Sequence, residues 1–138
     1  MPPIDLDSGT TIEAGDTWTI ALNRNQNLLG KCMIVLNRDA SDVTQLSEVE
    51  WTELLLQMAR VKQALATLFR PDHINYLFLM NQDAQVHLHV LPRYAAARIW
   101  EGQTFEDPDY GSMSRADSRP LDVGSLSQLA SDIGAALN

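Results

Sequence analysis

The sequence predicts an α+β domain, and three observations carry that prediction. Short apolar segments rich in β-branched residues are separated by turns of few residues, which is typical of antiparallel strands. One long stretch in the middle of the chain repeats apolar residues at helical spacing. The order strands, helix, strands, tail also differs from the regular alternation of strands and helices that a parallel sheet requires.

Four strands are predicted from segments bounded by turn-forming residues. They cover residues 17–22, 31–36, 74–80 and 85–92, after an arm up to about residue 14 that is irregular apart from a short strand at 10–12. The second strand, KCMIVL, is apolar and β-branched, as expected of a strand in the centre of a sheet. Cys32, the single cysteine, lies within it. We therefore expect a small buried hydrophobic residue there rather than a catalytic thiol.

A long helix is predicted to begin after Ser47. Ser47 and Glu50 match a capping box, in which a hydroxyl and a carboxylate satisfy free N–H groups of the first turn. Apolar residues then recur at three- and four-residue spacing until Pro71: Trp51, Leu54, Leu55, Met58, Val61, Leu65 and Leu68. We expect this whole stripe to face the core. After Tyr94 the chain is expected to be irregular until a second amphipathic helix at about residues 125–137.

Length, composition and charge limit the classes of function. The 138 residues predict a single domain, with a core at about residues 10–105 and a tail with a helix at 106–138. A net charge of −8 disfavours nucleic acid and anionic membranes as partners. No apolar stretch approaches the ~20 residues that span a bilayer, and the first residues lack the pattern of a secretory signal, so we expect a cytoplasmic protein. The acidic residues at 101–122 are expected to form a solvated surface segment.

The segment 85–93, QVHLHVLPR, carries the residues best suited to chemistry. Alternation along a strand places Gln85, His87 and His89 on one face and the apolar residues between them in the core. An imidazole has a reference pKa of ~6.5, so a neutral ring with a free lone pair is abundant at pH 7. His87 could therefore attack phosphorus, while His89 donates a proton to a leaving group or holds a phosphate oxygen.

At this point three interpretations of the histidine pair are open. The first is nucleotidyl chemistry, the second is a metal site, and the third is a pair of hydrogen-bonded structural histidines. A metal site needs at least one further ligand at a fixed place. The candidates for that ligand are His73, Asp83 and Gln85, and they follow no recognised spacing.

The same segment resembles the signature of the histidine triad family, His-φ-His-φ-His-φ-φ, in which φ is apolar. The similarity covers roughly residues 15–105. It includes Trp18–Arg24, Gly30 seven residues after Asn23, a strand that ends in FLMN at residues 78–81, and the bacterial-type tail RIWEGQTF at 98–105. The resemblance implies a five-stranded antiparallel sheet with a long helix, paired into a dimer with a continuous sheet. It also implies attack on the α-phosphorus of a nucleotide conjugate.

The resemblance assigns roles to four residues. His87 occupies the middle position of the signature, which is the family's nucleophile. His89 occupies the third position, which contacts phosphate or the leaving group. Asn23 matches a position that holds the ribose, and Asn81 matches an amide that contacts phosphate or sugar. From the residues alone, either asparagine could equally be a turn residue.

Three departures from the family pattern concern the site. Gln85 replaces the first histidine, and a glutamine forms hydrogen bonds but does not carry a proton in the same way. Lys31 stands where well-known hydrolases of the family have another histidine, and it could bind phosphate or lie in solvent. The link 82–84 is shorter than the glycine-rich loop with Ser or Thr found in many members. Transferases of the family carry glutamine at the third position instead, so His89 favours hydrolysis over transfer.

The sequence therefore predicts a nucleotide-conjugate hydrolase that cleaves next to the α-phosphate through a nucleotidyl-His87 intermediate. Dinucleoside polyphosphates and nucleoside phosphoramidates are the two substrate classes. No catalytic metal is required, and magnesium would enter only with the substrate's phosphates. The alternatives are a nucleotide-binding protein with little turnover and, more distantly, a metal-binding protein that uses His87 and His89.

Overall fold

The computed structural model describes residue 6, residues 9–115 and residues 118–138. The elements in chain order are β1 (Thr11–Ala14), β2 (Trp18–Leu22), β3 (Cys32–Leu36), a 3-10 helix (Val43–Gln45), α1 (Glu48–Phe69), β4 (His73–Leu77), β5 (His87–Arg93), β6 (Arg98–Trp100), β7 (Gln103–Phe105) and α2 (Val123–Ala136). Strands β1 to β5 form one antiparallel sheet in the order β1-β2-β3-β5-β4, and β6 pairs with β7. The predicted α+β class, with a five-stranded sheet, a long helix and a C-terminal helix, is confirmed.

The arm before β1 was predicted to be irregular apart from a short strand at residues 10–12. Strand β1 is that strand, shifted by about one residue and extended to Ala14. The remainder of the arm, at residues 1–5, 7 and 8, lies outside the described residues.

Strand β5 lies inside the sheet and determines which side chains reach each face. It pairs with β3 through Val35 opposite His87 and Met33 opposite His89, and with β4 through Leu77 opposite His89. Leu88 and Val90 alternate with the histidines and are at most 1% exposed within the core. The two histidines therefore share the opposite face, as the alternation predicted. Cys32 is also fully buried, in agreement with its predicted place in a central strand.

Helix α1 begins at the predicted capping box. The Ser47 hydroxyl accepts a hydrogen bond from the Glu50 backbone N–H, and the Glu50 carboxylate accepts one from the Ser47 N–H. Arg38 donates two more hydrogen bonds to the same carboxylate, at 2.7 and 2.9 Å. These bonds, those from Arg38 first, lower the pKa of Glu50 to about 2. The helix start is thereby tied to the loop that follows β3.

The apolar stripe of α1 is only partly buried, so the prediction that all of it faces the core is wrong. Leu54, Val61 and Leu65 are at most 1% exposed. By contrast, Trp51 is 42% exposed and Leu55 is 65% exposed, and Leu68 is exposed as well. The apolar stripe covers a wider arc of the helix than the sheet does. Consecutive positions such as 54 and 55 are rotated by about 100° around the helix axis, so both cannot face the sheet. One flank of α1 therefore presents apolar side chains outward.

The segment after Tyr94 is more regular than expected, because β6 and β7 form a hairpin. Glu101 and Gly102 connect the strands with φ angles of 49° and 71°. Two successive residues with positive φ are typical of a type I′ turn, which matches the twist of the flanking strands. Trp100 and Phe105 then place their rings in the core.

We expect Gly30→Ala to destabilise the fold strongly. Gly30 has a φ of 88°, and a Cβ there would lie 2.8 Å from the Leu65 side chain. Left-handed strain and overpacking together should lower the free energy of unfolding by about 2–4 kcal/mol. Gly102→Ala is the control, because it has a φ of 71° but no atom within 4 Å of the added Cβ. Urea unfolding followed by circular dichroism compares the two, and equal losses would contradict the close packing at Gly30.

Candidate functional site

A cavity of about 820 Å³ opens on the face of β4 and β5 that carries the two histidines. This volume is within the range of small-molecule sites in proteins, roughly 300–1,000 Å³. Its walls come from the turn after β2, from β4 with the link that follows it, from β5, and from a tail segment at residues 110–115. The face of β5 supplies every second residue: His87, His89, Leu91 and Arg93.

His87 is held in one tautomer by the backbone. Its Nδ1 lies 2.6 Å from the carbonyl oxygen of Gln85, and its side chain is almost fully buried. A carbonyl oxygen only accepts hydrogen bonds, so Nδ1 of the neutral ring carries the proton. Nε2 therefore presents its lone pair on the cavity side. This is the atom that a nucleophilic imidazole must keep unprotonated.

His89 supplies the partner of that lone pair. The Nε2 atoms of His89 and His87 are 3.0 Å apart. Because Nε2 of His87 accepts, Nε2 of His89 must donate. Burial lowers the pKa of His89 to about 4, and the positive charge of Lys31 adds to this shift. At pH 7 His89 is therefore a neutral N–H donor and not a cation.

Gln85 precedes strand β5, which begins at His87, and its predicted place on the histidine face stays a prediction. The Gln85 amide is 1% exposed and donates to the carbonyl oxygens of Leu36 and Arg38, at 2.7 and 2.6 Å. Gln85 is absent from the lining of the described cavity. It reaches the site only through its backbone carbonyl on His87.

Lys31 lines the cavity instead of lying in open solvent. Its Nζ donates to the side-chain oxygen of Asn27 at 2.7 Å. Burial lowers the pKa of Lys31 to about 8, which still leaves the ammonium charged at pH 7. Asn27 was not predicted as a site residue. The sequence signal that could have identified Asn27 is its position in the turn, four residues before Lys31.

Asn23 and Asn81 both line the same cavity. The side-chain oxygen of Asn23 accepts a hydrogen bond from the Asn25 backbone N–H at 2.9 Å, which is an Asx turn. Asn23 thus shapes the turn after β2 and also faces the cavity. Asn81 lies on the link between β4 and β5. The structure brings these two residues together with His87 and His89, and their roles toward a ligand remain predictions.

Residues 9–96 match the family model of the HIT domain. This is more than half of the chain. The chain belongs to the histidine triad (HIT) family. The matched range contains β5 with both histidines and the predicted contact residues Asn23, Lys31 and Asn81.

Solved HIT structures share the fold at low sequence identity. A histidine triad protein of Bradyrhizobium japonicum is 22% identical with a TM-score of 0.72, and 99% of this chain and 100% of that one are covered. One from Sinorhizobium meliloti is 21% identical with a TM-score of 0.72 and coverage of 93% and 89%. A hypothetical histidine triad nucleotide-binding protein of Sulfolobus tokodaii is 16% identical with a TM-score of 0.67 and coverage of 92% and 82%. No curated protein matches the sequence.

The cavity also has a wall that lies outside the HIT match. Residues 110–115 line it, and a buried ion pair anchors them, because Arg93 at the end of β5 donates two hydrogen bonds to Asp107 at 2.7 and 3.1 Å. The Asp107 side chain is 1% exposed. The prediction of a solvated acidic segment is therefore wrong at this residue, although Glu101 and Glu106 are exposed. Asp117, which belonged to the same prediction, lies outside the described residues.

Within residues 9–115 and 118–138, no group of three or more His, Cys, Asp or Glu side chains is placed to hold a metal ion. In the same part of the chain, neither helix has the length and apolar character needed to cross a bilayer.

We expect the affinity of the site for a phosphate monoester to fall as the pH rises through about 8, the pKa of Lys31. The ammonium attracts the anion below that pH and loses its charge above it. The dissociation constant of AMP should rise by up to roughly tenfold per pH unit above this point. Lys31→Arg should remove the dependence, because a guanidinium stays protonated. Titration calorimetry from pH 7 to 9.5 measures both proteins, and a flat wild-type profile would exclude Lys31 from anion binding.

Proposed function

We propose that this HIT protein hydrolyses nucleotide conjugates at the α-phosphate through a nucleotidyl intermediate on His87. One observation carries the proposal, namely the bond from Nδ1–H of His87 to the Gln85 carbonyl. That bond leaves Nε2 as the only basic atom of the ring, and Nε2 faces the cavity. It also stabilises the positive charge that develops on the imidazole when Nε2 bonds to phosphorus.

The reaction has two displacements at phosphorus. In the first, the Nε2 lone pair of His87 attacks the α-phosphorus, and the bond from phosphorus to the leaving oxygen or nitrogen breaks. Once the substrate has displaced it from His87, the Nε2–H of His89 donates a hydrogen bond to the phosphoryl oxygen or to the leaving atom, and the leaving atom takes its proton from solvent water. In the second, water attacks the phosphorus and releases one proton to solvent, and His87 leaves with its lone pair restored. The products are a nucleoside monophosphate and the protonated leaving group.

The remaining site residues match parts of a nucleotide. Asn23 offers an amide at the end of β2 for the ribose hydroxyls. Lys31 supplies a positive charge close to His89 and therefore close to the phosphate. Asn81 approaches from the link after β4. This arrangement suits both dinucleoside polyphosphates and nucleoside phosphoramidates.

A nucleotide-binding protein with little turnover is the second candidate. It is favoured by the link between β4 and β5, where the residues facing the leaving group are Gln82 and Asp83 and no hydroxyl side chain is present in 81–84. The low pKa of His89 points the same way, because a neutral imidazole is a weaker acid toward the leaving group than an imidazolium. Release of mononucleotide separates the two candidates.

We further propose that the protein is a homodimer. Strand β4 ends the order of the five-stranded sheet, so one edge of it is available for pairing. Beside that edge, the outward flank of α1 exposes Trp51, Leu55 and Leu56, and Leu79 is 47% exposed after β4. Exposed apolar side chains beside an open sheet edge are typical of an interface. A cytoplasmic location, magnesium only with the substrate, and the lack of nucleic-acid or membrane partners remain predictions.

His87→Ala is expected to lower kcat by at least about 10³-fold, because the covalent route is lost. Binding of AMP should change little, since the ribose contacts lie elsewhere. Assays of mononucleotide release from adenosine and guanosine conjugates, together with calorimetry, measure the two effects. Mass spectrometry of the wild-type protein should find an acid-sensitive nucleotidyl adduct on His87. An adduct on His89, or an alanine variant that keeps most of its rate, would refute this assignment.

The dimer should dissociate when the outward flank of α1 carries a charge. Leu55→Glu is expected to give a monomeric mass by light scattering at tens of micromolar, whereas the unmodified protein gives twice that mass. Ile99→Glu is the matched control, because Ile99 is an apolar residue that is 75% exposed and belongs to β6 rather than to α1 or β4. It should leave the dimer intact. A monomeric mass for the unmodified protein would rule out the homodimer directly.

A further inference from the structure

We propose that residues 110–115, the tail wall, form the nucleobase-contacting side of the cavity, with Tyr110 and Met113 packing against the base. The inference rests on the proposed function and adds a recognition surface to it. The tail wall lies beyond residue 96, where the HIT match ends, so the family signature does not assign it a role. Five features support the inference: the position of the wall relative to His87, its anchoring, the chemistry of its exposed side chains, the leucines opposite it, and its link to Lys31.

The position follows from the direction of strand β5. From His87 to Arg93 the strand advances by six residues, or roughly 20 Å. The reacting phosphorus belongs at His87, and the ribose contact Asn23 pairs through its backbone N–H with Lys31, beyond His89 in the direction of Arg93. A nucleotide with its phosphate at His87 thus extends its sugar and base along β5 toward Arg93. The tail wall lies at that end of the cavity.

The tail wall is held firmly by the Arg93 guanidinium. Besides its two bonds to Asp107, the guanidinium donates to the backbone carbonyls of Ser112 at 2.7 Å and Asp109 at 2.9 Å. A further bond at 2.9 Å reaches the side-chain oxygen of Asn75 on β4. Both charged partners are almost fully buried, so the ion pair is not screened by water. Arg93 is therefore a positioning residue, and it aligns the wall with the strand that carries the histidines.

The side chains of the tail wall suit an aromatic ring. Tyr110 is 43% exposed and Met113 is 74% exposed, and both line the cavity. Gly111 has a φ of 93°, which turns the chain between them. The hydroxyl of Ser112 is engaged by the Asp109 carbonyl, so the contact surface is mainly a phenol ring and a thioether. Such groups bind nucleobases by stacking and by sulfur–aromatic contact.

The opposite side of the cavity contributes two leucines. Leu91 lies toward the Arg93 end of β5, beside Asn75, and Leu77 lies on β4 opposite His89; both line the cavity. A flat ring that enters between these leucines and Tyr110 would contact apolar groups on both faces. Stacking of this kind is tolerant of base identity, because every base presents a π-face. We therefore expect adenine and guanine conjugates to bind alike through this wall.

Asn27 connects the tail wall to the phosphate end. Its side-chain nitrogen donates to the Arg115 carbonyl at 3.1 Å, and its oxygen accepts from Lys31 Nζ at 2.7 Å. One amide therefore holds both the wall and the cation near the histidines. The wall and the phosphate contacts are parts of one arrangement.

The test compares AMP with ribose 5-phosphate, which lacks the base. The double variant Tyr110→Ala, Met113→Ala should weaken AMP binding by roughly tenfold and leave ribose 5-phosphate binding unchanged. Tyr110→Phe, which keeps the ring, should bind AMP as the wild type does. Ile99→Ala is the matched control, an exposed apolar residue outside the cavity. Calorimetry gives the dissociation constants, and circular dichroism verifies the fold of each variant.

The outcomes distinguish failure of the tail wall as a base contact from failure of the proposed function. Equal weakening of both ligands, or no weakening of AMP, would overturn the role of the wall while nucleotide binding stands. A wild type that binds neither ligand would overturn the proposed function and the wall with it. Arg93→Lys, which cannot form the paired bonds to Asp107, should reproduce the selective loss of AMP affinity if it folds. An Arg93→Lys protein that folds and binds AMP normally would remove Arg93 from the positioning role.

Discussion

The double pairing of strand β5, to β3 on one side and to β4 on the other, is the constraint on which the rest of the structure depends. Hydrogen bonds on both edges prevent the strand from slipping, and a slip of one residue would turn His87 and His89 into the core. Leu88 and Val90 resist that slip, because it would expose them to water. The chemistry on one face is thus stabilised by the apolar packing on the other.

The sequence predicts those features that depend on local periodicity. The alternation within β5 and the capping box at Ser47 each depend on residues that are close together in the sequence, and the structure agrees with both. The tautomer of His87 could not be predicted. It depends on where the carbonyl of Gln85 points, and Gln85 precedes the first residue of β5. The exposure of Leu55 depends on how much of α1 the sheet covers. Likewise, the sequence around Asp107 does not distinguish it from a surface acidic residue, because its partner Arg93 is brought close only by the fold.

Charge in this protein is organised locally and not globally. The chain carries a net charge of −8, yet the cavity that holds the histidines also holds Lys31. Two arginines are instead paired with carboxylates, because Arg93 is bound to Asp107 and Arg38 is bound to Glu50. Lys31 is held by the neutral amide of Asn27 and keeps its attraction for an anion. A small anionic ligand therefore meets a favourable field only after it has entered the cavity.

The hydrogen bond between the two imidazoles gives the resting site a protective property. While the N–H of His89 occupies the lone pair of His87, the basic nitrogen is shielded from stray electrophiles and from passing metal ions. A ligand displaces this internal partner only if it offers an acceptor for His89 and an electrophilic centre for His87 at the same time. A phosphoryl group provides both within one tetrahedron. In the proposed reaction, the lone pair of His87 therefore becomes available only when a phosphoryl compound binds.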